Sequence, residues 1–409
     1  MTEIVTFAPE KEFRINAETV FQKHSELIKQ VLPESQVYHV GSTAVRGSLT
    51  KGDVDLQVRV TQEDFAKAKE SLMAMYSLNN GSDQTSFFCA FEKEDEILPV
   101  GIQLTVNGSS VDKFRKVTQF FCEHPSYTEA YNHLKMKFEG EDMEEYRNEK
   151  SSFIAKILST TEYEQLSKRM DLYEKVKFVE GETFLTIEET KNLTHSEMVE
   201  LINHLKIDPS ISIVKNVIVL VNSKFNSEID ALLVNNGFEL REENITVRRD
   251  LDNISLKEDV HFSIKSLNEI STSDFKRVWK ESMANSLNAP SSLNVDEQMR
   301  SVEVELGPTY KASCLVAYES DRPLGVVMPH IEPGTTNEGR LFYFGLVRSE
   351  RGKGKSKQLH KQALEILKND FDAAYYIGST GKDNTPMLKT FRNSGCTIVE
   401  SNKVYKRKV

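Results

Sequence analysis

Apolar and polar positions change period several times along the chain. Val20, Phe21, Leu27, Ile28 and Val31 recur at helical spacing, which predicts an amphipathic helix over 17–31 ended by Pro33. A Gly41-Ser42 turn follows. Val54, Leu56 and Val58 then alternate with Asp53, Asp55 and Gln57, the period of a half-buried strand. Ile102, Leu104 and Val106 repeat that alternation up to Asn107-Gly108. The stretch 113–158 reads as helical, with breaks at His124-Pro125 and in the charged run 140–145. Another strand over 340–347 leads into an amphipathic helix over 357–368, with Leu359, Ala363, Ile366 and Leu367 on one face.

One similarity is internal. Asn226 stands eleven positions before Gly237, and Asn384 stands eleven before Gly395. Each stretch reads as a helix with a glycine stop, followed by a strand with a Val-plus-basic end: Val247-Arg248-Arg249 and Val404-Tyr405-Lys406. This pattern predicts a duplication.

The chain has 409 residues, a length that predicts two or three domains. Hydrophobic residues at 39% suffice for globular cores. A formal charge of −10 argues against broad nucleic-acid or membrane binding but leaves room for a local basic phosphate site. Cys89, Cys122, Cys314 and Cys396 are scattered, so neither a disulfide framework nor a zinc cluster is suggested. The first residues lack a basic and apolar leader pattern, and the longest apolar runs, such as 217–221, are far shorter than a membrane span. A soluble, cytoplasmic protein is expected.

The strongest chemical signal is Arg351-Gly352-Lys353-Gly354-Lys355-Ser356, between the 340–347 strand and the following helix. The first turn of a helix leaves N–H groups unpaired and carries partial positive charge. Glycines let an anion approach the backbone, and Ser356 is small. Arg351, Lys353 and Lys355 add charge. This segment resembles the GNAT N-acetyltransferase family, whose [Q/R]xxGx[G/A] loop binds the acetyl-CoA pyrophosphate, and the resemblance extends back to a strand pair at 314–318 and 324–327 joined by a turn at 320–323. Arg351, Gly354 and Ser356 fall on the fixed positions. The resemblance implies that Leu346 and Val347 offer backbone hydrogen bonds to pantetheine, and that Asn384 contacts the cofactor. Many members carry a tyrosine general acid seven residues after that Asn; here the position is Phe391. Tyr405 or Tyr343 would substitute, with Glu338 as a base acting through water.

The second signal is His39-Val-Gly41-Ser42 followed by Lys51-Gly52-Asp53-Val-Asp55. Carboxylates at i and i+2 project from one face of a strand and can hold a divalent metal. The stretch resembles the GrpB-like branch of the nucleotidyltransferase superfamily, with further matches at His124-Pro125, Tyr131, Leu134-Lys135 and Lys150-Ser-Ser-Phe153-Ile154. The resemblance implies a nucleotide at Gly41, Ser42 and Lys51, with Mg2+ at Asp53 and Asp55. Gln103 stands where working members carry a third carboxylate, and glutamine cannot act as a charged ligand or base.

The expected architecture is α/β (α+β): a nucleotidyltransferase-like mixed-sheet domain over 1–162, a degenerate GNAT-like half over 163–252, and a GNAT-fold mixed-sheet domain over 253–409. The expected function is acetyl-CoA-dependent acetylation of an amine. The alternatives are a nucleotidyltransferase with an acetyl-CoA-sensing module, or a non-catalytic binder of both ligands. The acceptor pocket is expected within 256–307, around Trp279, Met283 and Asn285. Small-molecule and peptide amines both stay open, as does the oligomeric state.

Overall fold

The computed structural model describes residues 4–181, 184–208, 211, 213–252, 262–288 and 294–408. Of the stretch expected to build the acceptor pocket, 256–261 and 289–293 lie outside the described residues. The chain divides into two units, Met1–Leu172 and Tyr173–Val409.

The first unit holds a mixed sheet of β1 (Gln36–Val40), β2 (Val54–Val60), β3 (Ser77–Leu78), β4 (Phe88–Lys93) and β5 (Val100–Val106), in the order β1-β2-β5-β4-β3. Only β2 and β5 are parallel, with Asp55 opposite Gly101 and Gln57 opposite Gln103. The period-2 pattern of β2 divides its side chains between two faces. Val54, Leu56, Val58 and Val60 enter a core shared with α1 (Arg14–Val31) and α2 (Phe65–Met73). Gln57 and Arg59 take the other face, where Arg59 forms a buried ion pair with Asp112 at 2.8 Å. The helices α3 (Phe114–Glu123), α4 (Pro125–Lys137), α5 (Met143–Leu158) and α6 (Thr161–Tyr173) build a second core around Phe120, Tyr131 and Ile157. Pro125 opens α4, as the sequence implies. In the charged run, Asp142 caps α5 by accepting from the Glu144 and Glu145 N–H groups.

The second unit holds one ten-stranded sheet. Its strands are β6 (Lys177–Glu180), β7 (Phe184–Glu188), β8 (Asn216–Asn222), β9 (Glu239–Asp250), β10 (Ser263–Ser266), β11 (Leu315–Glu319), β12 (Arg322–Ile331), β13 (Glu338–Leu346), β14 (Tyr375–Gly381) and β15 (Thr397–Lys408). The helices that matter below are α7 (His195–Ile207), α8 (Ser227–Asn235), α9 (Thr272–Met283), α10 (Val295–Leu306), α11 (Lys355–Phe371) and α12 (Thr385–Asn393). The β11–β12 turn is tighter than the resemblance implies. Ser320 and Asp321 both have positive φ, 47° and 66°, so Arg322 and Pro323 already belong to β12.

The strand order is β10-β11-β12-β13-β14-β9-β15-β8-β7-β6. From β12 to β6 this order is palindromic: β12, β13, β14 and β9 mirror β6, β7, β8 and β15. The predicted duplication is therefore present as two β-β-α-β-α-β halves, and they exchange last strands. β9 of the first half pairs with β14, through Val247 opposite Gly378. β15 of the second half pairs with β8, through Val219 opposite Tyr405. The exchange leaves neither β8 nor β14 as an open edge, and edges are a liability in a sheet.

Candidate functional site

In the second unit the site begins with a bulge. Val327 faces Phe344 and Pro329 faces Leu341, so β13 takes three steps where β12 takes two. The bulge puts both Phe342 and Tyr343 against the core built by α9 and α10. It also turns β13 away from β14. The two parallel strands pair only through Glu338–Tyr375 and Gly339–Tyr376. Residues 340–346 therefore border a gap. Asn288 spans it, donating from Nδ2 to the Phe344 carbonyl at 3.4 Å and accepting from Asn384 Nδ2 at 3.3 Å.

The glycine loop lies at the open end of β13. Gly352 and Gly354 have φ of 75° and 76°, in the left-handed region that other residues rarely adopt. Gly354 is the N-cap of α11, and no side chain caps that helix. A Cβ at either glycine would meet nothing within 4 Å, so the space before the helix is open. Lys353 pairs with Glu350, and Lys355 with Glu350 and Glu319. Ser356 Oγ lies 3.1 Å from Thr390 Oγ1 and ties α11 to α12. Arg351 does something the motif does not announce. Its guanidinium donates to the carbonyls of Leu346 (3.0 Å), Ala284 (3.0 Å), Asn285 (2.9 Å) and Ser282 (2.7 Å). It thus closes the C-terminal end of α9 and fastens it to β13, a favourable place for a cation.

The other residues singled out from the sequence scatter. Val347 N–H donates to Leu324 O at 3.0 Å, so it is committed to β12; Phe344 is the residue whose carbonyl faces the gap. Asn384 caps α12 through the Met387 N–H and also bonds Thr380. Tyr343 donates to Ser282 O at 2.8 Å, and burial pushes its phenol up to about 12. A Cβ on Gly345 would lie 2.6 Å from that hydroxyl, so the glycine leaves room for the tyrosine. Glu338 sits at the zipped end of β13, where it binds Arg340 (2.7 Å) and Tyr375 (3.2 Å), roughly 26 Å of extended strand from Leu346. Tyr405 lies three strands from β13 and donates to Asp230 at 2.7 Å. Phe391 is buried against His360 and Tyr376. Glu338 and Tyr405 are thus not brought to the gap, whereas Tyr343 is beside it.

The first unit contains a cavity of about 410 Å³. Gly41, Ser42, Lys51, Asp53, Asp55, Gln103, Lys135 and Lys150 form its polar wall, and α3 and α5 add Phe114, Val117, Phe121, Ile154 and Leu158. Two glycines cradle Asp55. A Cβ on Gly41 would lie 2.4 Å from Asp55 Oδ2, and one on Gly101 would lie 2.8 Å from Oδ1. Gln103 donates to Oδ1 at 3.1 Å. Burial and then the neighbouring Asp53 raise the Asp55 carboxyl to about 6. Lys135 is 1% exposed. Its ammonium reaches Ser42 Oγ (2.7 Å), Ser48 Oγ (3.3 Å) and Leu49 O, and sits 4.2 Å from the Tyr131 ring centroid. Burial pushes it down to about 7. Sequence reasoning noted Lys135 only as a point of resemblance; no pattern marks a helical lysine as buried.

The magnesium site implied by the resemblance finds no support in these residues. Asp53 is 3.2 Å from Lys51, Asp55 is held by an amide, and among the described residues no three His, Cys, Asp or Glu side chains converge. Magnesium keeps several waters and is held by one or two carboxylates, and here both candidate carboxylates already have partners.

Residues 12–160 match the family model described as GrpB protein. A UPF0157 protein of Vibrio cholerae is 30% identical over 152 residues, which are 36% of this chain and 78% of that relative. The chain belongs to the GrpB family. A UPF0157 protein of Deinococcus radiodurans is 25% identical over 141 residues, 34% of this chain and 73% of the relative. Beyond the GrpB domain, residues 267–395 match the model described as acetyltransferase (GNAT) family, so the chain also carries a GNAT acetyltransferase domain. Among solved structures, a GCN5-related N-acetyltransferase from Sphaerobacter thermophilus aligns at TM-score 0.41 and 12% identity, covering 57% of this chain and 76% of its own. GrpB from Enterococcus faecalis aligns at TM-score 0.32 and 21% identity, covering 38% and 94%. Among the described residues no helix is long and apolar enough to cross a membrane.

Proposed function

We propose that the GNAT domain transfers an acetyl group from acetyl-CoA to an amine. The observation that carries this reading is the gap between β13 and β14, opening directly onto the uncapped N-terminus of α11. The diphosphate would meet the backbone N–H groups after Gly352 and Gly354, in a field favourable to anions. Pantetheine carries two amides. The Asn288 side chain already places an amide in the gap, bonded to Phe344 O and Asn384, and the cofactor would replace it there. Acyl transfer then needs a neutral amine and a proton for the leaving thiolate. Tyr343 is our proton donor: it is beside the gap, and its hydroxyl carries the proton the thiolate needs. To act it would leave the Ser282 carbonyl.

Gly354→Glu tests the reading. Its carboxylate would stand at the mouth of α11 and repel the diphosphate, and its side chain would force a left-handed residue. Calorimetry should show acetyl-CoA affinity reduced at least ~100-fold. Thiol release in the presence of an amine panel should fall in parallel. Unchanged affinity would remove the loop from the account.

A further inference from the structure

Lys135 is a buried lysine with no carboxylate in contact; Asp53, in the same cavity lining, acts on it only at a distance. Its partners are two hydroxyls, one carbonyl and an aromatic ring, and among the described residues no carboxylate is within ion-pair distance. An unpaired buried ion is expensive, so such a group either gives up its charge or holds it by facing an opposite one. Lys135 lies on the wall of the GrpB cavity, and so does Lys150. The lining as a whole carries four lysines (Lys51, Lys113, Lys135, Lys150) against two aspartates (Asp53, Asp55), in a chain whose formal charge is −10. The cavity is therefore locally positive in an acidic protein. The rest of the lining is largely apolar and aromatic.

We infer that the GrpB cavity binds a small organic anion with an apolar body, and binds it without a divalent metal. The anionic group sits by Ser42, with Lys135 and Lys150 supplying the charge in place of a metal, since Gln103 and Lys51 already engage the aspartates. The apolar body lies against Val117, Phe121 and Ile154. A volume of about 410 Å³ suits a ligand of this size. The orphaned Gln103 Oε1, buried with no partner among the described residues, is available to a donor on the same molecule. The inference does not depend on the acetyl-transfer reading, since it concerns only the first unit.

The test uses the full chain and anilinonaphthalene sulfonate, an aromatic anion whose fluorescence reports apolar burial. Adenosine monophosphate and inorganic phosphate serve as competitors, each in EDTA and again with excess magnesium. Saturable binding in EDTA, unchanged by magnesium and displaced better by adenosine monophosphate than by phosphate, is expected. Lys150→Met, at an exposed position, should weaken the probe about tenfold. Lys135→Met should weaken it more, if that variant folds. Asp53→Asn should strengthen it a few-fold by removing an opposing charge, an effect that loss of structure would not produce. Gly354→Glu should leave it unchanged, which separates this site from the coenzyme loop. Affinity should also fall as pH rises above 7, because the buried Lys135 ammonium then loses its proton. Binding that needs magnesium, binding indifferent to both Lys150→Met and Asp53→Asn, or no saturable binding would overturn the inference.

Discussion

The two exchanged halves of the second unit share one topology and differ at a strand pair and at the helix end beside it. Counting back from the short 3-10 turn after each strand (Thr190–Asn192 and Arg348–Glu350), Leu185 stands where Tyr343 stands. In the first half β7 stays paired to β8 over four residues, Phe184 to Ile187, close to the turn. In the second half β13 carries a bulge and leaves β14 after two pairs. The following helices differ in the same sense. Thr194 and Glu197 form a reciprocal capping box on α7, and Lys175 holds Glu197. Both the orphan N–H groups and the positive end of that dipole are satisfied from within the chain. On α11 two left-handed glycines take the place of the cap, and the same groups are left for something else. A ligand site on this fold thus arises by withholding two local satisfactions, a strand partner and a helix cap.

The largest expected break is structural. Removing residues 397–409 takes β15 away from both β8 and β9, so neither half is completed. The cooperative thermal transition of the second unit should disappear. A truncated chain that keeps it would show that the halves fold without exchange. The next contrast is chemical. Tyr343→Phe should lower kcat by about 10²- to 10³-fold with acetyl-CoA affinity intact. Tyr405→Phe should leave kcat within a few-fold and lower stability by roughly 1.5–3 kcal/mol, the loss of a bond to a charged group at Asp230. Equal kcat effects in the two variants would return the proton donor to question. The smallest effect concerns the closed half. Thr194→Ala should cost about 1 kcal/mol in chemical denaturation and should create no second coenzyme site, because β7 and β8 remain zipped.

Much of this was legible in the sequence where the signal is local. The alternation through Val54, Leu56 and Val58 divides core from site because side chains on a strand change face at every residue. Gly352 and Gly354 mark a helix entry because only glycine adopts their φ freely. The equal spacing of Asn226–Gly237 and Asn384–Gly395 revealed the repeat, since both asparagines cap helices. What escaped depends on distant partners. The exchange joins Val219 to Tyr405 and Val247 to Gly378, pairings that no local period encodes. The Arg351 side chain reads as added charge for the loop, but its four carbonyl acceptors tie it to α9 and β13. Glu338 and Tyr405 have the right chemistry but the wrong end of a strand and the wrong strand.

The most direct test of the central claim is the stoichiometry of acetyl-CoA binding by calorimetry on the full chain. One equivalent per chain, abolished by Gly354→Glu and untouched by Thr194→Ala, is the predicted result. Two equivalents would mean that the capped, zipped half also binds, and none would mean that an open strand pair and a bare helix end do not suffice.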